Sequence, residues 1–181
     1  TAYLLNARAV EILAEESAKL NCKMIHISTD YVFDGNGPRP YSEENKVDPQ
    51  SVYGSTKLEG EILCLRKNPE SMIIRTSWLY SAFGNNFVKT MLRLGNEKSE
   101  IGVIADQIGS PTNAADLAKA ILTIITSVER SEKLWTPGIY HYSNEGVASW
   151  YDFTKAIFDI AQVDCFVNPI VSEDYLSPVK Q

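Results

Sequence analysis

The chain has 181 residues, 44% of them hydrophobic, and carries a formal net charge of -6. That length sits in the single-domain range and suffices to bury one core, while the acidic balance argues against the clustered basic face that nucleic acid or an anionic membrane would demand. Cys22, Cys64 and Cys165 lie far apart with no CxxC pair, which speaks against a disulfide framework or a zinc site and for a reducing, cytoplasmic setting.

The first twenty residues place Leu5, Val10, Leu13, Ala14 and Leu20 at largely helical spacings. They predict an amphipathic helix with Asn21 as its stop, rather than a signal segment, and no run approaches the roughly 20 apolar residues of a membrane span. Met24 to Ser28 is an apolar run short enough for a buried strand. Residues 29 to 50 hold Gly35, Gly37, Pro38, Pro40 and Pro49 and predict a long loop, a kind that is usually functional or disordered.

From Ser51 to about Arg66 the pattern is helical, and Met72 to Thr76 reads as a second buried strand. Asn86 to Leu94 is then expected as helix, Ile101 to Ile104 as strand, Ala114 to Ile125 as helix, Gly138 to Tyr142 as strand and Trp150 to Ala161 as helix. Strands alternating with helices of about a dozen residues predict an α/β fold, a doubly wound parallel sheet with helices on both faces. The ten glycines include no GxGxxG or GxxGxxG turn. With a helix rather than a strand at the front, the sequence is expected to begin partway through a larger dinucleotide-binding fold and to bind no dinucleotide by itself.

Tyr53 and Lys57 stand four apart on a predicted helix, so phenol and ammonium project from one face. A neighbouring cation favours phenolate, which suits a tyrosine to protonate a carbonyl oxygen as hydride reaches the carbon. The spacing alone is weak, because Tyr151 and Lys155 repeat it. Context separates the two copies: Tyr53 follows a predicted strand ending in Ser28, Thr29 and Asp30, and ligands gather at the carboxyl ends of parallel strands. Thr29 is then either a hydrogen-bond donor to a substrate carbonyl or an ordinary cap. Trp78 is either a core aromatic or a ligand platform, and Gly109 to Thr112 can be only a turn. His26 and His141 lie in apolar strand-like runs and are read as structural.

The blocks Ser28–Gly35, Tyr53–Glu61, Arg75–Tyr80, Asn85–Val88, Asp106–Thr112 and Ser149–Phe153 together resemble the dTDP-4-dehydrorhamnose reductases of the extended short-chain dehydrogenase/reductase superfamily. The resemblance spans nearly the whole chain. It implies a partial Rossmann-like sheet with a small substrate-binding α/β part: residues 1–80 as the end of the dinucleotide-binding domain carrying the catalytic residues, and 81–181 as mostly substrate-binding, interleaved with the last Rossmann elements. It implies Thr29, Tyr53 and Lys57 as catalytic, and Ser28, Tyr53, Lys57 and Thr76 as cofactor-binding. Thr29, Asp30, Tyr31, Trp78, Asn86, Gln107, Ser110 and Thr112 would bind substrate.

The implied reaction is NADPH-dependent reduction of the C4 keto group of dTDP-4-dehydro-6-deoxy-L-mannose to dTDP-L-rhamnose, for cell-surface polysaccharide. NADH, Mg2+ and a homodimer are left open by the family, and no ligand cluster in the sequence supports a metal. Glu173–Lys180 resembles the approach to the family's last substrate-contacting segment. Other sugar-nucleotide reductases, epimerases and dehydratases are the neighbouring readings. A dehydratase would commonly carry an Asp-Glu pair after the threonine, where Asp30 is followed by Tyr31. A non-catalytic alternative is a partner protein resembling the regulatory subunit of methionine adenosyltransferase.

Overall fold

The computed structural model describes residues 1–37 and 39–175, so most of the Glu173–Lys180 segment lies outside the described residues. A π-helical turn at Leu4–Arg8 leads into α1 (Ala9–Lys19), followed by β1 (Ile25–Thr29) and a 3-10 turn at Asp30–Val32. After the loop come α2 (Val52–Lys67), β2 (Met72–Thr76), β3 (Leu79–Tyr80), α3 (Phe87–Glu97) and β4 (Glu100–Ile104). The remainder is β5 (Ile108–Gly109), β6 (Thr112–Asn113), α4 (Ala114–Arg130), β7 (Gly138–His141), β8 (Ala148–Ser149), α5 (Trp150–Ala161) and β9 (Phe166–Ile170).

The described chain divides into two compact units: Thr1–Thr76 with Leu122–Tyr142, and Ser77–Ile121 with the chain from Ser143 onward. In the first, β2 lies between β1 and β7 in a parallel sheet. The register sets Ser28 beside Arg75, Arg75 beside His141, and Thr29 beside Thr76. Because side chains alternate along a strand, His26, Ser28, Ile73, Arg75, Ile139 and His141 share one face. Helices α1 and α2 cover that face, packing Val10, Ala14 and Cys64 on Ile73, with Met24, Leu65 and Ile139 around them.

Helix α1 does not bury the leucines its spacing pointed to. Leu5, Leu13 and Leu20 are exposed, and Ala7, Val10 and Ala14 are the inward residues. The reason is close approach between backbones: a Cβ on Gly60 of α2 would lie 2.0 Å from the Asn6 carbonyl oxygen. Only small side chains fit along such a seam.

The second unit departs from a single continuous sheet. β4 does not extend the three-stranded sheet but pairs in parallel with β9, from Glu100 beside Phe166 to Ile104 beside Ile170. Met91 of α3 and Ile157 and Phe158 of α5 close over Ile101, Val103 and Val167. β9 escapes sequence reading because Pro169 argues against a strand. The Phe166 amide donates to Ser99 and the Ile170 carbonyl accepts from Ala105, so by alternation the nitrogen of Pro169 faces the outer edge, where a missing N–H costs no ladder bond. β3 pairs with β6 in parallel, and β5 with β8 antiparallel.

Candidate active site

Thr29 ends β1 with its side chain buried. Its hydroxyl accepts from the Tyr31 amide at 3.2 Å, capping the 3-10 turn, and donates to the Asp30 carboxylate at 3.0 Å. Burial raises the Asp30 carboxyl above its ordinary range, against the Thr29 hydrogen bond. Thr29 therefore has the geometry of a cap, and its hydrogen is committed to Asp30; donating to a ligand requires that bond to be exchanged.

Helix α2 is laid against this turn. Ser51 caps it by accepting from the Gly54 amide at 3.0 Å, and at Gly54 a Cβ would come 2.1 Å from the Tyr31 carbonyl oxygen. Glycine is what allows helix and turn to touch. One residue earlier, the Tyr53 ring meets the Tyr31 ring edge-on at 5.7 Å and 76°. One turn later, Lys57 Nζ donates to the Ile27 carbonyl at 2.7 Å. These contacts bring Tyr53 and Lys57 to the carboxyl end of β1, where Thr29 sits.

Tyr53 is 48% exposed, so its phenol is open to a ligand. Burial lowers the Lys57 ammonium from its ordinary range and the Glu61 carboxylate acts in the opposite sense. Thr76, beside Thr29 in the register, has a buried hydroxyl with no partner, and so does Ser28. Ser28 lies on the helix-covered face beside Arg75, apart from Thr76. An exposed phenol, an ammonium with only one of its N–H groups engaged by Ile27 and an orphaned Thr76 hydroxyl fit the hydroxyl-rich ribose side of a nicotinamide cofactor.

The remaining expected residues lie in the second unit. Trp78 has φ 46, a left-handed conformation that strains a bulky residue. It is held there by stacking on Trp150 at 3.4 Å and 8°, by Gly109, where a Cβ would lie 2.4 Å from its ring, and by the Thr112 amide donating to its carbonyl at 3.2 Å. Thr112 is fully buried. Ser110 Oγ donates to the Gly146 carbonyl at 2.7 Å, and the Ser110 carbonyl accepts from Ser77 Oγ at 2.7 Å.

Asn86 caps α3, accepting from the Lys89 amide at 3.2 Å and donating to the Ser81 carbonyl at 2.6 Å. Gln107 donates to Ser172 Oγ at 3.0 Å, while Asp106 accepts from the Ser172 amide and hydroxyl. The second Tyr-x-x-x-Lys copy falls on α5, where Tyr151 packs against the core and Lys155 is exposed. Among the described residues no three His, Cys, Asp or Glu side chains group to hold a metal ion, and no helix is long and apolar enough to cross a membrane.

Sequence reading missed two arrangements. One is the Trp150 face beneath Trp78. The other is a buried pair between Glu61 and Arg75, whose signal was an arginine inside the apolar run Met72 to Thr76.

Comparison with known proteins matches residues 1–181 to a family model described as the RmlD substrate binding domain. The dTDP-4-dehydrorhamnose reductase of Sinorhizobium fredii is 44% identical over 184 residues, 99% of this chain and 62% of that protein. A crystal structure of a dTDP-4-dehydrorhamnose reductase from Clostridium acetobutylicum matches with a TM-score of 0.90 at 41% identity, covering 99% of this chain and 61% of that one. The Bacillus anthracis enzyme, solved in complex with NADP, matches at 0.89 and 42%, covering 97% and 60%. The chain thus spans about three-fifths of the length of these relatives.

Proposed function

Because the chain belongs to the RmlD substrate-binding domain family, we propose that the protein of which it forms part reduces the C4 keto group of dTDP-4-dehydro-6-deoxy-L-mannose to dTDP-L-rhamnose with NADPH. The observation that carries this reading is the seating of Tyr53 and Lys57 on the turn after β1, at the strand end that carries Thr29. A reduced nicotinamide, when bound, supplies the hydride. Everything else falls to the chain's own side chains.

Tyr53 Oη gives its proton to the C4 oxygen as negative charge develops there, the role of a general acid. Lys57 holds a ribose hydroxyl and places a positive charge near the phenol, so that the phenolate left behind is stabilised. Thr29 orients the same oxygen once its hydrogen leaves Asp30. Thr76 offers its unpartnered hydroxyl to the cofactor side, with Ser28 one residue before Thr29.

In the first unit Asp30 and Tyr31 are assigned to substrate, and in the second Trp78 is assigned to the sugar as an apolar surface. Asn86, Gln107, Ser110 and Thr112 are assigned to substrate in the same second unit, where the Thr112 amide holds the Trp78 carbonyl. Free cysteines and the family's chemistry support a cytoplasmic site of action, upstream of cell-surface polysaccharide, with a dTDP-sugar as small-molecule partner.

The test is to express the full-length protein, supply the keto-sugar nucleotide and follow NADPH absorbance for the wild type and Tyr53→Phe. Loss of a positioned general acid lowers kcat by about 100-fold or more. Equal rates would remove Tyr53 as proton donor.

A further inference from the structure

Glu61 and Arg75 form a two-pronged ion pair inside the first unit. Arg75 Nε donates to Glu61 Oε1 at 3.0 Å and Nη2 to Oε2 at 2.7 Å, with side chains only 4% and 2% exposed. The guanidinium also lies 5.1 Å over the Phe33 ring, and Phe33 closes the 3-10 turn that follows Thr29. Arg75 Nη1 is left buried with no partner. Desolvating two charges and stranding a donor is expensive, and apolar replacements of buried pairs are often neutral or stabilising. Stability alone therefore gives a weak account of this pair.

Position gives a better one. Glu61 follows Lys57 by four residues on α2, so the two share a helix face. The ionisable groups on the elements around Lys57 include His26 on β1, Asp30 and Tyr31 in the turn, Tyr53, Glu59, Glu61, Cys64, Arg66 and Lys67 on its own helix, and Arg75 on β2, with Arg8 and Glu11 paired to each other on the N-terminal helical segment packed against it. Glu61 is the carboxylate that opposes the desolvation of Lys57. His26 is held neutral by burial and by Lys57 itself. Asp30 is committed to Thr29.

We propose that the Glu61–Arg75 pair is a positioning device for the site: Glu61 supplies the counter-charge for Lys57, and Arg75 ties α2 to β2 and to the turn beyond Thr29. This rests on the reading of Tyr53 and Lys57 as reacting residues. In it Glu61 touches neither substrate nor cofactor; it acts through Lys57. Arg75 acts through Glu61 on one side and Phe33 on the other.

The experiment measures initial rates of the full-length protein from about pH 6 to about pH 10, where lysine and tyrosine side chains titrate. The variants are Glu61→Gln, Glu61→Asp and the double replacement Glu61→Met with Arg75→Met. The double variant leaves no buried charge unpaired and removes a cation together with the anion, so its alkaline limb stays in place while its kcat falls about tenfold as α2 is freed from β2; it carries the positioning measurement if Glu61→Gln does not fold. Circular dichroism and a thermal melt establish folding for each. Removing an anion one helical turn from Lys57 lets the ammonium lose its proton more easily. In folded Glu61→Gln, where Arg75 keeps its charge, the alkaline limb of kcat therefore moves to lower pH by roughly one unit, with kcat about tenfold lower at the upper end, and Glu61→Asp recovers part of the shift.

A folded Glu61→Gln with the wild-type alkaline limb and kcat, or a folded double variant with the wild-type kcat, overturns the proposal and leaves the pair a structural feature. Tyr53→Phe in the same assay separates the two failures: wild-type turnover there sinks the underlying reading, whatever the Glu61 variants do.

Discussion

His26 illustrates how a single side chain couples the sheet to pH. It sits on the helix-covered face of β1, its Nε2 has no partner, and burial, reinforced by the Lys57 charge, depresses it to about 4. An unfolded histidine titrates near 6.5. As pH falls, the unfolded chain takes up the proton first, so the stability present above about pH 6.5 is lost progressively toward pH 4. Between pH 7 and 5 this one group is worth about 2 kcal/mol. Urea titrations at the two pH values should show that loss in the wild type and not in His26→Leu; equal losses in both would clear His26 of the effect. Gly54 makes a steric prediction beside it. Gly54→Ala drives a methyl into the Tyr31 carbonyl, so α2 must back away from the turn. A stability loss of about 1–3 kcal/mol is expected, together with at least a tenfold drop in turnover as Tyr53 and Lys57 retreat. A variant that is stable and fully active would show that this contact does not set the site.

At the scale of elements, helix α2 carries Tyr53 and Lys57, and its start is capped by one hydroxyl. Ser51→Ala removes the acceptor for the Gly54 amide and should cost about 1 kcal/mol in a chemical melt, whereas Ser51→Thr or Ser51→Asp stays within a few tenths. Equal stability of all three would mean that packing, not the cap, places the first turn. The same element shows why parts of the fold were readable. β2 and α5 begin and end where hydrophobic patterning puts them, Met72–Thr76 and Trp150–Ala161, because each is bounded by polar residues, β2 as a short run buried throughout and α5 as a helix with one apolar face. The starts of α2 and α3 fall within a residue of Ser51 and Asn86, while α3 runs on to Glu97, three residues past the expected Leu94. The two-residue strands β3, β5, β6 and β8 carry too few positions for any period to show. Pro169 hides β9, and the inward face of α1 is set by Gly60 on another helix, a tertiary fact that leucine spacing cannot contain. For the site, the Tyr53 and Lys57 spacing was visible but ambiguous. The glycine that seats it, the Asp30 that occupies Thr29 and the Trp150 under Trp78 are contacts between segments, legible only in three dimensions.

Across the whole molecule, the described residues build two core clusters that share no residue. Val10, Ala14, Cys64 and Ile73 make one, and Met91, Ile101, Val103, Ile157, Phe158 and Val167 the other. The chain crosses from unit to unit after Thr76, within α4 between Ile121 and Leu122, and after Tyr142. Each unit has its own optical reporter. Trp135 belongs to the first, where its Nε1 donates to the Glu70 carbonyl at 2.8 Å. The stacked Trp78 and Trp150 belong to the second, and face-to-face indoles couple into a circular-dichroism couplet that vanishes when they part. Ile73→Ala empties part of the first core and should cost about 2–4 kcal/mol, and Phe158→Ala about 3–5 kcal/mol in the second. In urea, Ile73→Ala should move the Trp135 fluorescence midpoint, read in a Trp78→Phe, Trp150→Phe background, further than it moves the couplet of the otherwise wild-type chain. Phe158→Ala should do the reverse, because a cavity weakens first the packing that surrounds it. If either replacement shifts both signals by the same amount, the two cores melt as one cooperative body, and the division into separately packed units holds only for the native contacts.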